Sequence, residues 1–381
     1  MKHFWYHLEQ FFKRNFLHWL EKFFGKKALS PAQVDYAAIR RILVIRQHDM
    51  LGDFLLSTPA LRALRERFPQ AHIGVLVREY FTGTVASHPF VDELLQFYEH
   101  GTRWTWRRIL SLWRQLRSGW DLAVVLNTVS HSLTSDVLAF LSGAKYVLGS
   151  EHRVFPGCER NFFYNLLAPY ADEIKPQSER NLDIVRHLGA NTDDLSETMR
   201  LTQVEREAAG LILKNNGWQE GRLTIGMHVG AGKIMNRWPA WRFADLAQLL
   251  HDDHGAQIIL FWGGNETALS REFCMRIDFK PVKIPPRELR EMAACFTHCA
   301  AVICNDTGVM HVCAAAGVPL VAIFGPTDPQ EWKPIGDKFV AVRHESLQTE
   351  AVEVEKVYAA LLGLLHKEYR GHHRAQNVLS K

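Results

Sequence analysis

The chain is poor in cysteine and shows no disulfide framework. Its six cysteines, Cys158, Cys274, Cys295, Cys299, Cys304 and Cys313, include no C-x-x-C pair. That excludes a cross-linked secreted scaffold and gives no zinc-ribbon spacing, so buried free thiols in a reducing compartment are expected. Cys295, Cys299 and Cys304 come near one another in sequence, but no metal site is expected there. Long apolar runs are also missing, and none reaches the roughly 20 residues of a membrane span. The N-terminus is too charged and aromatic for a secretory leader. Charge of one sign is scarce: 45 basic against 41 acidic residues leave +4 over 381 residues, and no nucleic-acid partner is indicated. No Asp-x-Asp pair occurs. Gly230-Ala231-Gly232-Lys233 looks like a P-loop but fails the pattern, because Met227 stands where Gly is needed and Ile234 replaces Ser or Thr.

What is present is a repeating α/β pattern. The length favours two domains, and a hydrophobic content of 47% can fill their cores. Residues 1–40 read as an amphipathic helical extension, 41–205 as a first Rossmann-like domain, 206–348 as a second, and 349–381 as a C-terminal helix and tail. In the first, Ile42 to Ile45 reads as a strand, Gly52 to Phe68 as a helix and Ile73 to Val77 as a strand. Helices near 104–117 and 132–142 flank a strand at Leu122 to Leu126. In the second, strands at Leu223 to His228, Gln257 to Phe261 and 281–284 alternate with helices from Arg242 to His254, near 266–277 and over 287–298. A last helix is read from Glu350 to His366, with a frayed tail from Tyr369. Strands alternating with helices predict parallel sheets covered on both faces, with a ligand cleft between two such domains.

The densest polar motif is Asn305-Asp306-Thr307-Gly308-Val309-Met310-His311, between an apolar strand and a helix. Asp306 and Thr307 are suitable helix N-caps, and Gly308 lets a ligand approach the backbone. A helix start carries unpaired N–H groups and the positive dipole end, which suits a phosphate. Gly325-Pro326-Thr327 follows the next strand at the same sheet edge, where open α/β sheets bind ligands. Lys233 and Arg237 are placed to meet a diphosphate. Glu266, after Phe261-Trp262-Gly263-Gly264-Asn265, either caps its helix or binds ribose hydroxyls. Asp53 sits where the first helix begins, either as a cap or as a general base, with His48 and Asp49 as nearby alternatives.

In order and spacing these segments resemble glycosyltransferase family 9, the heptosyltransferases of lipopolysaccharide core assembly. The residues carrying the resemblance are Leu51-Gly52-Asp53 with Thr58-Pro59-Ala60-Leu61, Arg237-Trp238-Pro239, Asp306-Thr307-Gly308 with His311, and Gly325-Pro326-Thr327; it spans roughly 41–345. The resemblance implies a GT-B fold, with acceptor bound mainly by the first domain and nucleotide sugar by the second. It implies inverting transfer, heptose from ADP-heptose as donor, and no cofactor or obligatory metal. It also implies Asp53 as catalytic base, Asp306, Thr307, Gly308 and His311 as the donor segment, and Glu266 as the ribose carboxylate. One position departs: the family's phosphate-binding Lys is Asn236 here, so that role passes to Lys233 or Arg237, or donor preference differs. A GT-B sugar-nucleotide epimerase and a non-catalytic lipopolysaccharide- or nucleotide-binding module are the alternatives.

Two aromatic, basic segments complete the reading. Residues 103–117 form a helix whose Arg103 and Arg107 are expected to bind a lipopolysaccharide acceptor. Its tryptophans either touch sugars or membrane, or pack in the core. Residues 3–24 repeat Phe, Trp and Leu at three- and four-residue steps with lysines around them. They predict an amphipathic helix that holds a cytoplasmic enzyme on the anionic inner face of the cytoplasmic membrane.

Overall fold

The computed structural model describes residues 15–47, 50–99, 101–129 and 131–379. The chain divides into two compact units, Met1–Leu195 and Ser196–Lys381.

In the first unit a helix covers residues 15–24 (α1). It is followed by β1 (Arg41–Ile45), α2 (Leu51–Leu55), α3 (Thr58–Arg67), β2 (His72–Arg78), α4 (Thr82–Val85) and β3 (Glu93–Phe97). Then come α5 (Trp106–Leu116), β4 (Leu122–Val125), α6 (Leu133–Leu141), β5 (Tyr146–Ser150), β6 (Leu166–Ala168) and α7 (Gln177–Arg186). The six strands form one parallel sheet in the order β3-β2-β1-β4-β5-β6. Its central strands are buried on both faces, which is why they read as continuous apolar runs.

The expected helix from Gly52 to Phe68 is two helices. Ser57 bonds back to Phe54 O through its hydroxyl, at 2.5 Å. Pro59 has no N–H to continue the ladder and instead opens α3, where its fixed φ is favourable. The N-terminal extension, where described, belongs to the first unit. Leu17 is buried, Lys26 N donates to Phe162 O at 2.8 Å, and Leu29 N donates to Asn165 O at 2.7 Å. The remainder of the predicted 3–24 helix, residues 3–14, lies outside the described residues.

The second unit carries α8 (Gln203–Asn215), β7 (Thr224–His228), α9 (Ala240–His254), β8 (Gln257–Phe261), α10 (Thr267–Cys274) and β9 (Val282–Ile284). These lead to α11 (Leu289–Phe296), β10 (Ala301–Asn305), α12 (Gly308–Ala315), β11 (Leu320–Phe324), α13 (Pro329–Trp332), β12 (Phe339–Arg343) and α14 (Val354–Leu379). Its sheet is also parallel, in the order β12-β11-β10-β7-β8-β9. The two halves therefore share one doubly wound plan.

The unit boundary falls at 195/196, earlier than the 205/206 read from sequence. The connecting segment packs on the second unit: Met199 N donates to Ala315 O at 2.9 Å. The last helix also belongs there, since Val357, Leu361 and Leu364 enter the core formed with Trp238, Phe243 and Leu250. It continues through the tail expected to fray, ending at Leu379.

Candidate active site

In a parallel sheet every strand ends on the same edge, so the loops after β7, β8, β10 and β11 gather at one place. Asn305, the last residue of β10, is fully buried and ties its own strand end to both ends of the loop after β7. Its Oδ1 accepts from Trp238 N at 2.9 Å, and its Nδ2 donates to Gly230 O at 2.9 Å. Trp238 is itself buried, with its indole N–H on Val352 O at 2.9 Å and its ring edge-on to Phe243. The Trp-Pro pair therefore anchors the loop after β7 rather than merely starting α9.

Asp306 follows directly. Its carboxylate accepts from Asn236 Nδ2 at 3.0 Å and from the Thr327 hydroxyl. Burial pushes its pKa up, while Thr327, His311 and Lys233 pull it back. Thr307 caps α12, accepting from Val309 N at 3.2 Å. One turn on, His311 Nδ1 meets Glu197 Oε1 at 2.8 Å. Glu197 was not singled out in the sequence, and neither was a function for Thr327 beyond its place in the motif.

Glu266 stands at the N-cap of α10 without capping its side chain to the helix. Its Oε2 accepts instead from Gly263 N at 2.7 Å, and Arg237 Nη2 lies 3.7 Å from its Oε1. Gly230 lies directly against this carboxylate, since a Cβ there would sit 1.6 Å from Oε2. Only glycine fits, which explains the Gly in the loop after β7. Arg237 also donates to Ala231 O at 2.8 Å. Lys233 is exposed. All eight residues expected to bind a donor thus lie in the second unit, on loops or helix starts that follow the C-terminal ends of its strands.

Buried polar atoms at this edge lack hydrogen-bond partners among the described residues: His228 Nδ1, Asn236 Oδ1, Arg237 Nε, Trp262 Nε1 and Glu197 Oε2. Buried polar groups are ordinarily satisfied, so these atoms have hydrogen-bonding capacity to offer a polar ligand. Burial lowers the pKa of His228, opposed by the Glu266 charge, and disfavours its imidazolium.

In the first unit Asp53 occupies the first turn of α2 and is half-buried. Its Oδ2 accepts from Met50 N at 3.1 Å, and its Oδ1 has no bond among the described residues. The carboxylate therefore does cap α2, with one oxygen left over. Its backbone is fixed by Arg46, buried after β1, which donates to Asp53 O and to Leu126 O and lies 3.3 Å from Asn181 Oδ1. His48 and Asp49, the alternatives to Asp53, lie outside the described residues. Arg103 pairs with Glu79, and Arg107 stacks over Trp106 at 5.4 Å, both at the surface. Nothing in their surroundings brings them to Asp53.

The sequence profile of glycosyltransferase family 9 (heptosyltransferase) matches residues 109–360. A lipooligosaccharide heptosyltransferase 2 of Haemophilus influenzae is 27% identical over 330 residues, covering 80% of this chain and 89% of the relative. Two solved structures share the fold. A family 9 glycosyl transferase from Veillonella parvula superposes with a TM-score of 0.74 at 23% identity, covering 86% of this chain and 97% of its own. The Escherichia coli ADP-heptose lipopolysaccharide heptosyltransferase II gives 0.71 at 23% identity, covering 87% and 100%. These are GT-B structures, and the two parallel sheets described above follow that plan.

Proposed function

This chain belongs to glycosyltransferase family 9, and from that premise we propose that it transfers heptose from ADP-heptose to a hydroxyl of a lipopolysaccharide core acceptor, with inversion. The observation that carries the donor assignment is the set of unsatisfied buried polar atoms of His228, at the end of β7, and of Asn236 and Arg237 in the loop that follows it. In this reading a nucleoside diphosphate gives phosphate oxygens to Arg237 Nε and the α12 N–H groups, and ribose hydroxyls to Glu266.

Asp53 takes the proton from the acceptor hydroxyl. The hydroxyl oxygen then bonds to the anomeric carbon, and the carbon–oxygen bond to the diphosphate breaks. The electron pair leaves with ADP. Negative charge grows on the leaving phosphate, and fixed donors stabilise it more in the transition state than in the ground state. Lys233, Arg237 and the N–H groups of Thr307 and Gly308 fill that role in our reading, with no obligatory metal. Asn236, where the family usually has Lys, holds Asp306, which leaves the cationic work to Arg237 and Lys233. The acceptor is lipid-linked, so the enzyme works as a peripheral protein on the cytoplasmic face of the membrane; among the described residues no helix is long and apolar enough to cross one.

Calorimetric titration with ADP-heptose, GDP-sugars and UDP-sugars tests the donor. ADP-heptose is expected to bind tightest. A preference for a GDP- or UDP-sugar overturns the assignment.

A further inference from the structure

We propose that the outward faces of α5 and α1 together dock on an anionic lipid bilayer. The functional reading above enters only in making the acceptor lipid-linked; the surface itself rests on the following geometry.

On α5, Trp106, Ile109, Leu110 and Trp113 are 69%, 56%, 36% and 46% exposed. Their spacing of three, four and seven residues places them on one stripe of the helix. The tryptophans of this region that enter the core are others: Trp120 is buried, and Trp104 packs edge-on to Phe97. Leu112 and Leu116 hold α5 to the unit from beneath, and Thr105 caps its start, so the stripe is presented by an anchored helix. Arg107 and Arg114 line its edge, and residues 100–120 contain no Asp or Glu. A stripe of Trp, Ile and Leu with arginines and no acidic residue on its helix suits the boundary between anionic headgroups and acyl chains.

The second observation is α1. Phe16, Trp19 and Phe23 repeat the same spacing and are 55%, 49% and 62% exposed, while Leu17 on the other side is buried. The two helices meet at the end of α6. Phe24, at the end of α1, packs edge-on to Phe140 at 5.7 Å. Arg117, at the end of α5, donates to Leu141 O at 3.4 Å. Consecutive residues at the end of α6 thus touch the C-terminal ends of both helices. Two exposed aromatic stripes of this kind call for a partner. A second copy is disfavoured as that partner, because a two-fold interface would set the arginine rim against itself.

The test uses the full chain and sedimentation with two vesicle types, phosphatidylcholine alone and phosphatidylcholine mixed with phosphatidylglycerol. Wild type is expected to bind the mixed vesicles, more weakly at high salt, and to leave the neutral ones. The double variant Trp106→Ser/Trp113→Ser removes exposed side chains, and an unchanged melting temperature confirms its fold. It should lose roughly tenfold or more in vesicle affinity. Its turnover on a water-soluble acceptor fragment should match wild type. Equal vesicle binding by wild type and variant, or no binding by wild type, overturns the proposal. So does a variant that binds vesicles normally but loses turnover on the soluble fragment, which would make the stripe an acceptor subsite. A wild-type dimer that dissociates in the variant, without vesicle binding, would assign the surface to a second copy. Failure of transfer to the soluble fragment by wild type would overturn the functional reading and leave the docking result standing.

Discussion

His311 and Glu197 form a buried pair, with Nδ1 and Oε1 2.8 Å apart and both side chains nearly inaccessible. The carboxylate is an acceptor, so the proton sits on Nδ1, and the ring is oriented by a residue that precedes its own helix by more than a hundred positions. Glu197→Ala removes that acceptor from the interior. An unsatisfied buried group costs about 1–3 kcal/mol, so the variant should melt earlier and bind ADP several-fold more weakly. Glu197→Gln still offers an acceptor oxygen and should recover most of both losses. Thermal melts and ADP titrations of the two variants check this; equal damage from Gln and Ala would show that charge, not orientation, matters.

Asp53→Asn should keep the cap on α2, because the amide oxygen still accepts from Met50 N. Transfer should fall by roughly 10²–10⁴, the usual contribution of a general base. Donor affinity should stay within a few-fold, since the donor residues belong to the other unit. Steady-state rates beside donor titrations decide the point. Near wild-type turnover would reduce Asp53 to a helix cap.

Asp306→Ala removes the acceptor shared by Asn236 and Thr327 and lets the loops after β7 and β11 separate. Donor binding is expected to weaken at least tenfold, with acceptor affinity little changed. His311→Ala should act in the same direction. Separate titrations with ADP and with acceptor measure both, and a selective loss of acceptor affinity would contradict the division of labour between the units.

Glu205 offers a pH-dependent check on the second unit. Its hydrogen bond to Arg290, opposed by partial burial and reinforced by Thr202, lowers its pKa from 4.5 to about 2. A carboxylate whose folded pKa is depressed contributes stability that is full above the unfolded value. The contribution fades as pH falls from 4.5 toward 2. Glu205→Gln should therefore be less stable than wild type at neutral pH and converge with it near the acid end. Denaturant melts across that range give the comparison, and a difference that does not change with pH would remove Glu205 from the account.

The loop and helix start proposed for the donor could be picked out because they are local. Asn305 to His311 holds a strand end, a cap and a helix start in one run, and the Gly-Pro-Thr turn follows one helix and one strand later. Glu197 was not legible: it lies in an irregular stretch, and only folding brings it to His311. The edge strands β3 and β12 were missed for another reason. They are partly exposed, so they lack the unbroken apolar run that marked the central strands. The break between α2 and α3 was readable from Thr58-Pro59, since a proline inside a helical pattern signals a new start. The exposure of Trp106 and Trp113 was not, because helical spacing alone does not separate a buried stripe from a presented one.

The most direct test of inverting transfer is to follow ADP release from ADP-heptose with and without a lipopolysaccharide core acceptor, and to read the anomeric configuration of the product by NMR. ADP release that depends on the acceptor, with inversion at the transferred carbon, is the predicted result. Release that ignores the acceptor, altered donor sugar without transfer, or a retained configuration would contradict the account.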